Sequence, residues 1–311
     1  MKENNYAIDI KKLQKVYHSV SRKRYEALKS IDLNIEQGEI FGFLGPNGAG
    51  KTTTIKIITG LIYPTGGTVS IFGYPISDVR YRRFLGYLPE RPCFYENLSG
   101  IELVQYYGRL FGLSPKDSLK KAEGLVELVG LKESKHLPIS SYSQGMNQKL
   151  GLAQALIGDP KLLVLDEPMS GLDPIARRQV RELLLGLKKK GVTIFFSSHI
   201  LYDVEMFCDR VAIIKSGKIL LEMDIASLLD RSILGYEVVV VSVTKDAKEQ
   251  LDKVGVSYSE RLGHMHILAD TINKKKVLEI LHSTNTEIIS FLPKKQSLED
   301  AFIEEISVNK V

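Results

Sequence analysis

The sequence predicts an α/β fold built on a largely parallel sheet, followed by a smaller α+β domain. Three observations predict it. Short apolar runs that read as buried strands alternate with amphipathic helical patterns up to about residue 225. A glycine-rich loop joins one of those strands to a helix, and another strand ends in two adjacent acids. The 311 residues exceed one typical domain, and 44% hydrophobic content leaves ample chain to bury a core.

Ile40–Leu44, Leu162–Leu165 and Thr193–Phe196 are the strand candidates of the first domain, residues 1–225. Within Gln179–Lys190, Val180, Leu183, Leu184 and Leu187 fall at i, i+3, i+4 and i+7 and make one apolar stripe. Near residue 225 the character changes. Valine-rich Tyr236–Val243 precedes a charged helical stretch, then a strand near Ser257, a strand His264–Ala269, a helix Lys274–His282 and a strand Glu287–Leu292. The order β-α-β-β-α-β matches the split ferredoxin-like unit. A final helix is expected from Leu298, behind the N-cap candidate Ser297. Residues 226–311 therefore read as an accessory or regulatory domain.

The formal net charge of +5 is a mild excess and not a nucleic-acid footprint. Basic clusters at Arg22-Lys23-Arg24 and Lys188-Lys189-Lys190 read as solvated faces, with anionic lipid headgroups as the sharper alternative. Two cysteines far apart, Cys93 and Cys208, argue against a disulfide framework or a zinc site and fit a reducing compartment. No apolar run approaches the roughly 18 residues of a membrane helix, and Met1–Lys12 has no signal-peptide core. Work at a membrane would need a separate partner.

Gly45-Pro46-Asn47-Gly48-Ala49-Gly50-Lys51-Thr52 matches the G-x-x-x-x-G-K-[ST] phosphate loop, and it stands where that motif must stand, between the strand Ile40–Leu44 and a helix candidate, Thr53–Leu61. Glycines let backbone N–H groups wrap phosphate oxygens without a Cβ in the way. The helix N-terminus adds free N–H groups and the positive end of its dipole. Lys51 would neutralise the terminal phosphates and Thr52 would hold Mg²⁺, with Thr53 completing the ATP-contacting set. Leu162–Leu165 runs into Asp166 and Glu167, whose side chains should point differently because a strand alternates. Asp166 can then serve Mg²⁺, and Glu167 can orient the attacking water as general base.

Further motifs give the chain its resemblance. Tyr142-Ser143-Gln144-Gly145-Met146 resembles the signature of ABC (ATP-binding cassette) proteins, usually written LSGGQ, and Ser143 stands 23 residues before Asp166. Ser170-Gly171-Leu172-Asp173 is similar to the family's D-loop, His199 to its switch histidine, and Tyr17 to its adenine-stacking aromatic. The resemblance covers about residues 6–225. It implies a P-loop NTPase cassette with a mostly parallel core sheet, an antiparallel β subdomain and a helical subdomain at about 90–160. By the same resemblance ATP would contact Tyr17, Gly45–Thr53, Ser143 and Gly145. Glu167, His199 and Lys51 would be catalytic, and Thr52, Asp166 and Glu90 would serve Mg²⁺. Ser143 also reads as the N-cap of a helix Gln144–Ile157, with Met146, Leu150, Ala153 and Ile157 on one side, and Asp173-Pro174 as a helix start. Three positions, in two motifs, depart from the pattern. Gln144 and Met146 replace glycine and glutamine in the signature, and Glu90, which accepts hydrogen bonds but does not donate when ionised, replaces the Q-loop glutamine.

With one phosphate loop and one signature per chain, the resemblance implies a homodimer or paired cassette in the ATP state, and a separate transmembrane permease on the inner face of the cell membrane. In transporters the region Glu90–Phe111, here carrying Phe94, Tyr95, Leu98, Tyr106 and Tyr107, receives the permease. The tail Gln296–Phe302 looks like the ending of exporter-type cassettes. A soluble ABC ATPase acting on ribosomes or DNA is the second reading. It fits less well, because 115 residues separate Lys51 from Asp166 without sustained heptads and the chain has one cassette. A small-molecule P-loop kinase would need neither signature nor D-loop.

Overall fold

The computed structural model describes residues 5–18, 24–229, 235–241 and 243–294. Two compact units emerge, Met1–Ile225 and Ala226–Val311.

In the first unit, β1 (Tyr6–His18) and β2 (Arg24–Glu36) pair antiparallel, and Gly38, at φ +81°, turns the chain into β3 (Ile40–Leu44). The phosphate loop leads to α1 (Lys51–Ile58), after which β4 (Gly66–Ile71) returns to pair with β1 and with the short β5 (Tyr74–Pro75). A 3-10 turn, Val79–Phe84, feeds β6 (Leu85–Leu88). Three helices follow: α2 (Gly100–Leu110), α3 (Pro115–Leu128) and α4 (Gln144–Ala155). Then strand and helix alternate: β7 (Leu162–Leu165), α5 (Pro174–Lys189), β8 (Thr193–Ser198), α6 (Leu201–Phe207), β9 (Arg210–Lys215) and β10 (Lys218–Asp224).

Two sheets result. One is β2-β1-β4-β5, antiparallel, and the other β10-β9-β3-β8-β7-β6, parallel except for β10. Every residue of β3 and β7 is buried, which explains why their sequences are unbroken apolar runs and not alternating ones. Phe41, Phe43 and Phe195 stack in the core with centroids 5.4–6.1 Å apart. Each such side chain removed from water contributes about 1.5–3 kcal/mol.

Local chemistry sets the helix starts. Ser99 and Glu102 form a reciprocal capping box on α2, Ser114 caps α3, Ser143 caps α4, and Asp173 caps α5 with Pro174 at the first position. Some boundaries shift. α1 begins at Lys51, before Thr53, and ends at Ile58, because Thr59 caps it and Gly60 takes φ +70°. α4 ends at Ala155, two residues short of Ile157, and is buried on several sides, with Met146 half-buried. β8 runs two residues past Phe196, and that extension carries Ser197 and Ser198 to the end of the sheet. In α5, Val180, Leu184 and Leu187 are buried and Leu183 half-buried.

α7 (Ile225–Leu229) lies at the boundary in sequence. The second unit runs β11 (Gly235–Val240), α8 (Lys245–Val254), β12 (Ser257–Arg261), β13 (His264–Ala269), α9 (Lys274–Ser283) and β14 (Ile288–Lys294). Its antiparallel sheet, β12-β13-β11-β14, buries Val238, Val240, Met265 and Ile267 with Leu251 of α8 and Val277 and Leu281 of α9. The element order is the expected β-α-β-β-α-β. The helix expected from Leu298, the tail Gln296–Phe302 and the cluster residues Arg22 and Lys23 lie outside the described residues.

Candidate active site

A cleft of about 540 Å³ opens over the phosphate loop. Pro46, Asn47, Gly48 and Gly50 form its floor with Lys51, Thr52 and Thr53 at the start of α1, while Gly45 and Ala49 are buried behind. The loop is threaded against neighbouring backbone. Gly45 N donates to Ser198 O at 3.2 Å, and a Cβ on Gly45 would sit 2.3 Å from Ile214 O. Gly50 takes φ +118°, and a Cβ there would meet Ala27 O at 2.9 Å. Gly50 also caps α1 without a side chain, so no capping group occupies the first-turn N–H groups and they are open to an anion.

Lys51 is 6% exposed. Its Nζ donates to Gly45 O at 2.6 Å and to Pro46 O at 3.4 Å, and stands 3.3 Å from Glu167 Oε1. That last contact is an ion pair without hydrogen-bond geometry, so Glu167 Oε1 has no donor. The other carboxylate oxygen, Oε2, lies 2.9 Å from His199 Nδ1. If the imidazole is neutral with the proton on Nδ1, its Nε2 accepts, so donating to a phosphate requires the imidazolium or release of Glu167.

The two acids diverge for a reason other than strand alternation. β7 ends at Leu165, and Glu167 takes a left-handed backbone, φ +50°. Such strain in a buried non-glycine residue persists only where the surroundings impose it. Here Ser197 imposes it. The Glu167 N–H donates to Ser197 Oγ at 2.9 Å, and Ser197 Oγ donates to Asp166 Oδ1 at 2.6 Å. Asp166 is 1% exposed. Burial pushes its carboxyl above the ordinary range against the hydrogen bonds of Ser197 and Thr52, and the nearby charges of Glu90 and Glu167 push it further up.

A cation beside Asp166 would relieve that repulsion. Among the described residues no group of three or more His, Cys, Asp or Glu could hold a metal unaided. Mg²⁺ commonly takes one or two protein oxygens and leaves the rest of its shell to phosphates and water, so Thr52, Asp166 and the cleft-lining Glu90 fit it.

Not every expected residue is at the cleft. Tyr17 does not line it. Its cross-strand partner Tyr25 does, donating to Gly48 O at 3.3 Å, while Tyr17 carries Lys15 Nζ over its ring at 5.2 Å. Ser143, Gly145 and Asp173 also stand outside it. Ser143 accepts from Met146 N at 3.2 Å and Asp173 from Ala176 N at 2.8 Å. Gly145 packs near Leu172, and the Gln144 amide lies over Gly171, so signature and D-loop abut within one chain. Sequence reasoning missed Ser197, Ala27 and Tyr25, while Ser170, named in the D-loop motif, does line the cleft. The Ser197-Ser198 pair directly before His199 was the available signal for the first.

Residues 28–170 match a family model described as ABC transporter. The chain is 42% identical to an ABC transporter ATP-binding protein of Synechocystis sp., covering 91% of this chain and 79% of that one. A Bacillus subtilis ABC transporter ATP-binding protein is 36% identical, with 91% and 96% covered. The bacitracin transport ATP-binding protein of Bacillus licheniformis is 35% identical, with 91% and 94% covered. Among solved structures, a dimeric ATP-binding cassette in a post-hydrolysis state bound to ADP and Pi aligns with TM-score 0.66 at 26% identity, over 70% of this chain and 98% of that one. An ATP-binding subunit of an ABC transporter aligns at TM-score 0.63 and 32% identity, over 71% and 91%.

Proposed function

The chain belongs to the ABC transporter ATP-binding family, and on that premise we propose that it hydrolyses ATP to power export through a separate membrane permease. The observation that carries the reading is the convergence of Lys51, Glu167 and His199 at one cleft, above the buried Asp166. Lys51 holds Glu167 Oε1 and two loop carbonyls in this state. Phosphate oxygens entering the cradle would draw Lys51 away from those partners and free Oε1 to accept a proton from water. His199 keeps Oε2 oriented while the water attacks the terminal phosphorus and ADP leaves. Mg²⁺ at Thr52 and Asp166, with Glu90 near, would screen the phosphate charge.

Ser143 and Gly145 lie outside their own chain's cleft, which supports a second copy supplying them in the ATP state. ATP then acts as glue between two copies, and hydrolysis removes it. A docking site for a permease has its candidate in the aromatics after Glu90. Tyr95 and Tyr106 are exposed and meet edge to face at 6.2 Å, with Tyr107 behind at 5.6 Å. No helix among the described residues is long and apolar enough to cross a membrane, and in this proposal the permease supplies the spanning segments. The bacitracin transport ATP-binding relative supports transport as the coupled work, and export from the inner face of the cell membrane is part of the proposal. The second unit is read as an accessory or regulatory domain of the dimer.

The test of the chemistry is Glu167→Gln. It should slow Mg²⁺-dependent ATP hydrolysis by roughly 10²–10⁴-fold while sparing ATP binding. Near-normal turnover removes Glu167 from its role. For the permease, the tagged chain should co-purify from solubilised membranes with a polytopic protein. Co-sedimentation with ribosomes or DNA instead would favour the soluble reading.

A further inference from the structure

Behind Glu167 lies a charged pair that the reading above does not use. Asp203 is 3% exposed, yet its Oδ2 has no hydrogen-bond partner. Its Oδ1 is 3.8 Å from Arg177 Nη1, longer than a hydrogen bond, and Arg177 Nε is likewise buried without a partner. Asp203 also lines a gap, shared with Pro168, Met169, Ser197 and Ile200, that has no room for a water molecule. Solvent does not supply the missing partner on that side. A buried carboxylate left so incompletely paired is costly, and burial pushes its carboxyl up despite Arg177 and Arg181, with Glu167 and His199 also facing it.

Position explains what such a pair could do. Arg177 is in the first turn of α5, where its N–H donates to Asp173 O at 2.9 Å, so it moves with the loop Ser170–Asp173. Asp203 is in the first turn of α6, four residues after His199. Both segments bear on Glu167: Ser170 N donates to Glu167 O at 3.1 Å, and His199 holds its Oε2. The geometry points to Arg177 and Asp203 as positioning residues for hydrolysis. They form a charge pair that couples the Ser170–Asp173 loop to the His199 segment and so fixes both around Glu167. The pair stands half-made in this state, with a donor and an acceptor in reserve, and completing it needs only a small approach of the first turns of α5 and α6. This inference rests on the ATPase reading of the site.

The experiment is a double-mutant cycle on the full chain, with ATP hydrolysis, ATP binding and thermal melting read together. Asp203→Asn and Arg177→Gln should each lower kcat about tenfold, leave KM for ATP within about twofold, and combine without further loss, as one coupled unit does. The swap Arg177→Asp with Asp203→Arg should regain part of the rate, and Arg177→Lys, which keeps charge but not the fork, should lie between. A purely structural pair would lower melting temperature without this kcat-only loss. Wild-type kcat in the folded single variants, or losses that multiply in the double, overturns the proposal. If Asp203→Asn does not fold, Arg177→Lys and Arg177→Gln decide by the same kcat criterion. A wild-type chain without ATPase activity would instead overturn the functional reading beneath it.

Discussion

Replacing Ser197 with alanine should destabilise the first unit in a pH-dependent way. The hydroxyl is fully buried and serves two groups at once, donating to Asp166 Oδ1 at 2.6 Å and accepting from Glu167 N at 2.9 Å. A hydrogen bond to a buried charge contributes about 1.5–3 kcal/mol, and an orphaned buried N–H costs about 1–3 kcal/mol. Together they set an expected loss of about 3 kcal/mol. For a domain of this size that corresponds to a melting temperature lower by about 6–12 °C. The pH sign follows from Asp166, whose folded carboxyl is raised by burial. Between its unfolded and folded pKa values the native state binds more protons, so stability falls as pH rises through that window. Losing the Ser197 donor raises the folded value further. The deficit of Ser197→Ala relative to wild type should therefore be largest near neutral pH and shrink on acidification, once Asp166 is protonated in both. Melting of nucleotide-free protein in chelator across pH 5–8 measures it. A fall under about 2 °C at neutral pH, or a deficit that grows on acidification, would refute the reasoning.

Three further outcomes are expected. Gly45→Ala forces a Cβ to within 2.3 Å of Ile214 O, a backbone clash no rotamer relieves, and should weaken binding of a fluorescent ATP analogue by at least about tenfold. Tyr25→Ala should raise KM for ATP about 2- to 10-fold through loss of its contact at the cleft, and Tyr17→Ala should raise it comparably if Tyr17 stacks on adenine as the resemblance implies; an unchanged KM in Tyr17→Ala would remove that role. Asp173→Ala removes the α5 cap and should cost about 1 kcal/mol in urea denaturation, restored by Asp173→Ser.

Much of the fold was legible because its signals are local. An unbroken apolar run such as Ile40–Leu44 announces a strand buried on both faces, and Ser or Asp ahead of a helix announces its start. The phosphate loop was legible for the same reason, since its chemistry is fixed by eight consecutive residues. What was not legible depends on tertiary placement. Tyr17 and Tyr25 are paired across β1 and β2, and nothing in either residue's own neighbourhood says which one reaches the cleft. Alternation explained the divergence of Asp166 and Glu167 incorrectly, because the turn comes from a left-handed Glu167 pinned by Ser197, thirty residues away in sequence. His199 was expected to be catalytic from its resemblance to the switch histidine, but that its Nδ1 faces Glu167 depends on how two distant segments pack. An unpartnered Asp203 oxygen has no sequence signature.

The claim on which the account turns is that one ATP is gripped by two copies of this chain. Light scattering of Glu167→Gln with Mg²⁺ and ATP tests it most directly. The mass should double with ATP, return to that of one copy with ADP, and stay there with ATP when Ser143 and Gly145 are both replaced. A chain that binds ATP and keeps the mass of a single copy would contradict it.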